Sequence, residues 1–375
     1  MPELVALDLS GQEFVNALVE VWDAGDAVLP LDPRLPPPAR RALLGAMRPA
    51  VVVTPEGRFP LADPLPVEPG DALVVPTSGS TGAPKGVVLT HGAVEASARA
   101  TSARLGVDPA TDRWLGCLPL SHVGGLSVVT RALITGTALE VHDTFDAARV
   151  EEAARRGATL VSLVPAVLSR LDPGLFRTVV LGGSAIPVDR PANSVATYGL
   201  TETGSGVVYD GRPLDGVEVD VRGGRIHLRC PMLLRAYRDG AVPLDPGGWF
   251  DTGDVGRLDP DGRLVVEGRA SEMIITGGEN VWPAPVERVL ASHPAVAEVA
   301  VFGRPSPEWG SEVVALVVPV PGLEPPDLGT LRGWVREVLP AYCAPRDLIL
   351  VERLPRTSLG KLRRGELSGM SEGPR

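Results

Sequence analysis

A chain of 375 residues, 44% of them hydrophobic, is long enough for two or three domains and a sizeable core, and with 4% aromatics that core must be built from aliphatics and alanine. A formal net charge of −10 speaks against a nucleic-acid surface or an anionic membrane as partner and suits a cytoplasmic enzyme. Cys117, Cys230 and Cys343 form no CxxC or Cys/His cluster and read as reduced packing residues, while the acidic start MPELVALDLSGQEF and the lack of a long apolar run argue against a signal peptide and a membrane span.

In chain order, residues 36–47 read as a helix, 50–57 and 72–79 as buried strands, 92–106 as a helix and 113–122 as a strand. A helix over 127–136, a strand over 137–143, a helix over 146–157 and strands over 158–165 and 177–187 continue the alternation. Such alternation predicts α/β layers with largely parallel sheet. From about residue 207 the runs shorten and alternate around RGGR and DPDGR, which predicts hairpins and a β-rich subdomain to about 269. Residues 270–375 predict a small α+β domain: a helix over 283–293, strands over 296–303 and 311–320, a loop over 320–329 and a helix over 327–339. The chain thus divides at 269/270, and no internal repeat is visible.

One stretch resists this scheme. VVPTSGSTGAPKGVVLTH, residues 74–91, spaces Gly79, Gly82 and Gly86 among Thr77, Ser78, Ser80 and Thr81, with Lys85 close behind. Glycines let the backbone approach a ligand, and consecutive N–H groups ringed by hydroxyls make a concave anion site. The spacing is not that of a nucleoside-triphosphatase P-loop, because Gly86 follows Lys85. A surface linker is the plain alternative, but apolar flanks pin the loop at both ends.

Five stretches in order carry a resemblance: TSGSTGAPKG, PLSHVGGL, YGLTET, GWFDTGD with a downstream GR, and PRTSLGKLRR. Together they resemble the adenylate-forming superfamily of acyl-CoA synthetases, adenylation domains and luciferases. PLSHVGGLSVVTRALITGT, YGLTETGSGVVYDGRPLDGVEV and a short N-terminal region are similar to its aromatic acid–CoA ligases, those acting on o-succinylbenzoate in menaquinone biosynthesis in particular, in their short actinobacterial form. The resemblance implies a large N-terminal domain, a small mobile C-terminal one, and two chemical steps. A carboxylate attacks the α-phosphorus of ATP and expels pyrophosphate; CoA thiolate then attacks the acyl carbon and expels AMP. Both steps depend on positioning and charge neutralisation. ATP, Mg²⁺ and CoA are the implied cofactors and co-substrates, and a small aromatic acid is the implied partner. No nucleic acid and no membrane insertion are expected, and a homodimer is left open.

By the same resemblance, Thr77, Ser78, Gly79, Ser80, Thr81, Gly82 and Lys85 would wrap the β- and γ-phosphates. Glu202 would hold Mg²⁺, Thr201 would touch the α-phosphate, and Tyr198, beside Gly199, would pack on adenine; an ordinary core aromatic is the plain alternative for Tyr198. Gly183 and Ser184, with Gly182, would offer backbone to acyl group and adenine. Asp254 would accept the ribose hydroxyls and Arg269 would reach the ribose or phosphate, against a turn aspartate and a surface arginine. His122 would wall the acyl pocket, against a satisfied core histidine. Lys361 would neutralise charge developing at the α-phosphate and leave before thioester formation, against a solvated basic tail. Trp309 would be a platform for CoA, against a packing residue.

Arg131 stands apart because its helical neighbours Val128, Val129, Leu133 and Ile134 are apolar. A buried guanidinium needs a partner. Either an ion pair or carbonyl cap provides it, or Arg131 binds the spectator carboxylate of a dicarboxylic substrate. Two departures from the family pattern bear on this: Ser271 occupies the hinge position, and only VDRPANSV separates LGGSAIP from ATYGLTET, on the acyl-pocket wall. Another aromatic acid–CoA ligase, of benzoate type, and a stand-alone enzyme loading a carrier protein are the competing readings.

Overall fold

A computed structural model describes residues 1–78, 84–184, 186–187, 189–356 and 362–372. The chain forms two compact units, residues 1–220 with 227–251, and residues 221–226 with 252–375.

The first unit holds two seven-stranded sheets. One runs in the order Ala236–Tyr237, Pro84–Thr90, Asp71–Ser78, Ala27–Pro30, Leu4–Leu7, Val51–Thr54, Gly57–Pro60. Its middle strands are parallel, and antiparallel pairs close both sides. The other runs Arg212–Pro213, Ser205–Tyr209, Ser194–Leu200, Thr178–Leu181, Leu160–Leu163, Arg113–Gly116, Ala138–Val141. Five of these, from Ser194–Leu200 to Ala138–Val141, are parallel. Helices α1 (Gly11–Asp23), α2 (Pro37–Met47), α3 (His91–Leu105), α4 (Val123–Thr135) and α5 (Ala147–Arg155) cover them.

Local chemistry explains the helix ends. Thr90 caps α3 through a hydroxyl accepting from the Ala93 N–H at 3.1 Å, and the Asp146 carboxylate does the same for α5 from Arg149. Helix α4 is buried without a break from Gly125 to Ala132, as an apolar helix between layers should be. Its Leu126 and Val129 share a core with Val5, Leu7, Phe14, Val75 and Leu89 of α1 and the first sheet. The helix starts at Val123, four residues before the predicted 127, because the glycines of VGGL sit inside it.

In the second unit residues 254–258 of the strand Phe250–Leu258 pair antiparallel with Leu264–Arg269. A five-stranded sheet follows, made of Glu279–Val281, Ile274–Thr276, Gly310–Pro319 and Val296–Ser306, with Asp347–Leu350 parallel to Gly310–Pro319. Helices α6 (Pro283–Ala291) and α7 (Leu328–Arg336) pack on it through Val286, Leu290, Leu331 and Val335. Compactness assigns the 252–269 hairpin to this second unit, whereas the sequence division falls after it. Leu4–Leu7, Ala27–Pro30 and α1 lie outside the elements expected from the sequence. Cys117 and Cys343 are buried and Cys230 half-buried, all as free thiols, and burial pushes Cys117 up to about 12. No helix among the described residues is long and apolar enough to cross a membrane.

Candidate active site

Ligands of open α/β sheets bind beyond the carboxyl ends of parallel strands. In the second sheet those ends carry the singled-out motifs side by side. Arg113–Gly116 leads into PLSHVGG, Thr178–Leu181 into Gly182, Gly183 and Ser184, and Ser194–Leu200 into Thr201 and Glu202. Thr201 to Thr203 form a short 3-10 turn fastened by Thr203, whose hydroxyl meets the Leu200 N–H at 2.9 Å and the Ser205 carbonyl at 2.7 Å. Tyr198 and Gly199 straddle a bulge against the strand Ser205–Tyr209. A side chain at Gly199 would put its Cβ 2.2 Å from the Ser205 carbonyl, so glycine is required for these backbones to meet. Tyr198 is half-buried, and Gly183 and Ser184 are exposed at the strand end.

Glu202 is half-buried, and its Oε1 accepts the Tyr237 hydroxyl at 2.9 Å. Burial, and then the Glu202 charge, push the Tyr237 phenol well above its usual range, so it stays a donor. Lys85 lies over the face of the same ring, its Nζ 5.1 Å from the centroid. Thr77 and Lys85 are direct cross-strand partners at the base of the glycine loop. Gly79, Ser80, Thr81, Gly82 and Lys361 lie outside the described residues, as does the Ser78 side chain. No cluster of three or more His, Cys, Asp or Glu side chains among the described residues could by itself hold a metal. A lone carboxylate with one oxygen held by a phenol fits an ion that arrives on phosphate oxygens.

His122 is the N-cap residue of α4 and half-buried. Burial pushes the nearby Asp32 carboxyl up, but Arg34, and more weakly His122, bring it below the usual range. Arg131 is 2% exposed. Among the described residues neither an ion pair nor a carbonyl cap satisfies it. Its guanidinium lies 4.7 Å from the Trp114 ring centroid and donates through Nη2 to the Ser205 hydroxyl at 3.2 Å. Nε and Nη1 have no hydrogen-bond partner among the described residues, and burial pulls the group's pKa down. Through Ser205, Arg131 joins the helix after PLSHVGG to the strand after YGLTET.

In the second unit Asp254 and Arg269 are cross-strand partners, Nε to Oδ1 at 3.0 Å, with the Asp254 side chain 8% exposed. Asp254 is thus a buried strand residue, while Arg269 is a surface arginine, 48% exposed and paired to it. Trp309 sits in the turn before Gly310–Pro319, where its carbonyl accepts the Gly277 N–H at 2.9 Å. Arg346, which the sequence reading missed, stacks on Trp309 with its guanidinium carbon 3.5 Å from the ring centroid. Tyr237 and Ser205 were missed too, since each works only through a partner distant in sequence.

A glycine-looped hairpin, a strand-end carboxylate and an α/β first unit followed by a small α+β unit define an adenylate-forming enzyme. Residues 60–230 match the AMP-binding enzyme family and 285–361 match the AMP-binding enzyme C-terminal domain. The chain is 41% identical over 361 residues to a probable 2-succinylbenzoate–CoA ligase of Mycobacterium tuberculosis, covering 88% of this chain and 93% of that one. It superimposes on the o-succinylbenzoate CoA synthetase of Bacillus subtilis in complex with the acyl-adenylate OSB-AMP, with TM-score 0.86, 29% identity, and coverage of 100% of this chain and 88% of that one. The same enzyme with ATP and magnesium ion gives TM-score 0.84 at 29% identity, over 98% and 89% of the two chains. The chain belongs to the AMP-binding enzyme family.

Proposed function

We infer that this chain is an AMP-forming acid–thiol ligase that adenylates o-succinylbenzoate with ATP and passes the acyl group to CoA, in the cytoplasm. One observation carries it: Glu202, at the carboxyl end of the strand Ser194–Leu200, and Lys85, beside the glycine loop, share a single tyrosine, an arrangement suited to a magnesium-bound polyphosphate. In the first step a carboxylate oxygen of the acid bonds to the α-phosphorus, and the bond to the β-phosphate bridging oxygen breaks to release pyrophosphate. In the second the CoA sulfur bonds to the acyl carbon and AMP leaves.

Glu202 would hold magnesium arriving with the nucleotide, and the ion would supply neutralisation of phosphate charge. Thr77, Lys85 and the glycine loop take the β- and γ-phosphates, Thr201 the α-phosphate, and Tyr198 with the 182–184 backbone the adenine. Asp254 takes the ribose hydroxyls, its position fixed by Arg269. His122 walls the acyl side, and Lys361 supplies charge to the adenylation transition state. The functional division is placed at 269/270, with Ser271 at the pivot, later than the division by compactness.

For the substrate, Arg131 supports the dicarboxylate over plain benzoate. A buried guanidinium with two nitrogens lacking acceptors among the described residues is suited to a spectator carboxylate, directly or through water. A pyrophosphate-release screen over aromatic acids, with and without CoA, tests the reading. Release with o-succinylbenzoate and CoA-dependent thioester formation are expected; turnover of benzoate alone, or CoA-independent loading of a carrier protein, would replace it.

A further inference from the structure

We propose that Tyr237 is a positioning residue of adenylation, a single side chain that sets both the Glu202 carboxylate and the Lys85 ammonium. This rests on the roles given above to Glu202 and Lys85. The hydroxyl holds one carboxylate oxygen at 2.9 Å while the ring carries the lysine 5.1 Å above its centroid. The group meant for metal and the group meant for phosphate therefore meet on one phenol, the first at its hydroxyl and the second over its ring face.

The backbone around Tyr237 is built to keep it still. Ala236 and Tyr237 pair with Val88 and Val87 of the strand that leaves the glycine loop. The Leu234 N–H donates to the Glu202 carbonyl at 2.8 Å and the Arg238 N–H to the Gly86 carbonyl at 2.7 Å, so both motifs are tied to one five-residue segment. A Cβ at Gly86 would stand 2.9 Å from the Arg238 Cβ, which shows how closely the two strands approach. The flanking arginines anchor the segment from outside: Arg235 to Asp71 at 2.8 Å and Glu68 at 2.6 Å, Arg238 to the Met47 carbonyl at 3.0 Å and the Pro66 carbonyl at 2.9 Å. A tyrosine serving only to fill space would not need a carboxylate acceptor and a cation on its face. Without the hydroxyl, Glu202 would turn freely, and its rotamer would have to be fixed each time magnesium nucleotide binds.

The test measures ATP binding to the full-length protein by calorimetry, with no acid present, at zero and saturating Mg²⁺. Tyr237→Phe keeps the ring and removes the hydroxyl. Its gain in ATP affinity on adding Mg²⁺ should fall about tenfold, as for a lost hydrogen bond to a charged group, with magnesium-free ATP affinity and melting temperature unchanged. Glu202→Gln should abolish the gain, and the double variant should lose no more than Glu202→Gln alone. Tyr237→Leu, which also strips Lys85 of its ring, should further weaken magnesium-free ATP binding about threefold. A wild-type magnesium gain in Tyr237→Phe, or additive losses in the double variant, would overturn the brace while leaving Glu202 its role. A wild-type gain in Glu202→Gln would overturn both.

Discussion

Two of the arginine–tryptophan stacks in this protein, one in each unit, differ sharply in what they expose. In the first unit Arg131 projects from a helix buried along eight consecutive residues, on a Trp114 that is 0% exposed. In the second, Arg346 enters a sheet strand from a loop and covers Trp309 on a half-exposed hairpin turn. Among the described residues both leave guanidinium nitrogens without acceptors, Nε and Nη1 in the first and Nε in the second. On the function proposed above, the sealed stack is suited to selecting the acid and the half-exposed one to meeting CoA, because the helix and the turn differ in what they expose.

If that contrast is right, substitutions in the two units should separate the two half-reactions. The largest effect is expected in the second unit. Lys361→Ala should slow adenylation by on the order of 3 kcal/mol, a hundredfold or more, while thioester formation from supplied acyl-adenylate stays near normal. Single-turnover assays of each half-reaction check it, and equal losses in both would erase the division of labour. In the first unit, Arg131→Leu should cost about 2–4 kcal/mol in kcat/KM for o-succinylbenzoate and far less for benzoate. Equal fractional loss with the two acids, or a collapse of melting temperature alongside activity, would make Arg131 a packing group. Smallest of all, Trp309→Ala should raise the KM for CoA about tenfold with acyl-adenylate formation nearly unchanged. Parallel loss of stability and of both steps would instead put Trp309 in the core of the hairpin.

Much of this was legible in the chain because the signals are local. The strands over 72–79, 113–122, 158–165 and 177–187 announce themselves as apolar runs ended by turn residues, and the structure places strands within each. The helices begin and end on Thr90, Asp146, Gly106 and Gly136, caps that a sequence displays openly. Leu4–Leu7 and Ala27–Pro30 carry no such punctuation. Each is four residues buried on both faces, and only the parallel neighbours paired to them make them strands. At the site the pattern repeats. Glu202 and Asp254 stand in recognisable motifs, whereas Tyr237 matters through Glu202, 35 residues away, and Ser205 through Arg131, 74 residues away. Arg131 itself was visible as a misplaced charge, but its partners, an indole and a hydroxyl instead of an acid, were not.

The short strands at the rims of the two large sheets bear on how the protein behaves among copies of itself. The first sheet ends in Ala236–Tyr237 on one side and in Gly57–Pro60 on the other; the second ends in Arg212–Pro213. Two-residue margins, prolines at the last position and arginines beside them offer a neighbouring chain almost no ladder to extend. Behind the first of these margins stand Val87, Val88 and Leu89, all buried. Ala236 and Tyr237 pair with Val88 and Val87 along this margin, so a change that unpicks them is expected to open a β edge that another chain could extend, during synthesis as well as in the finished fold.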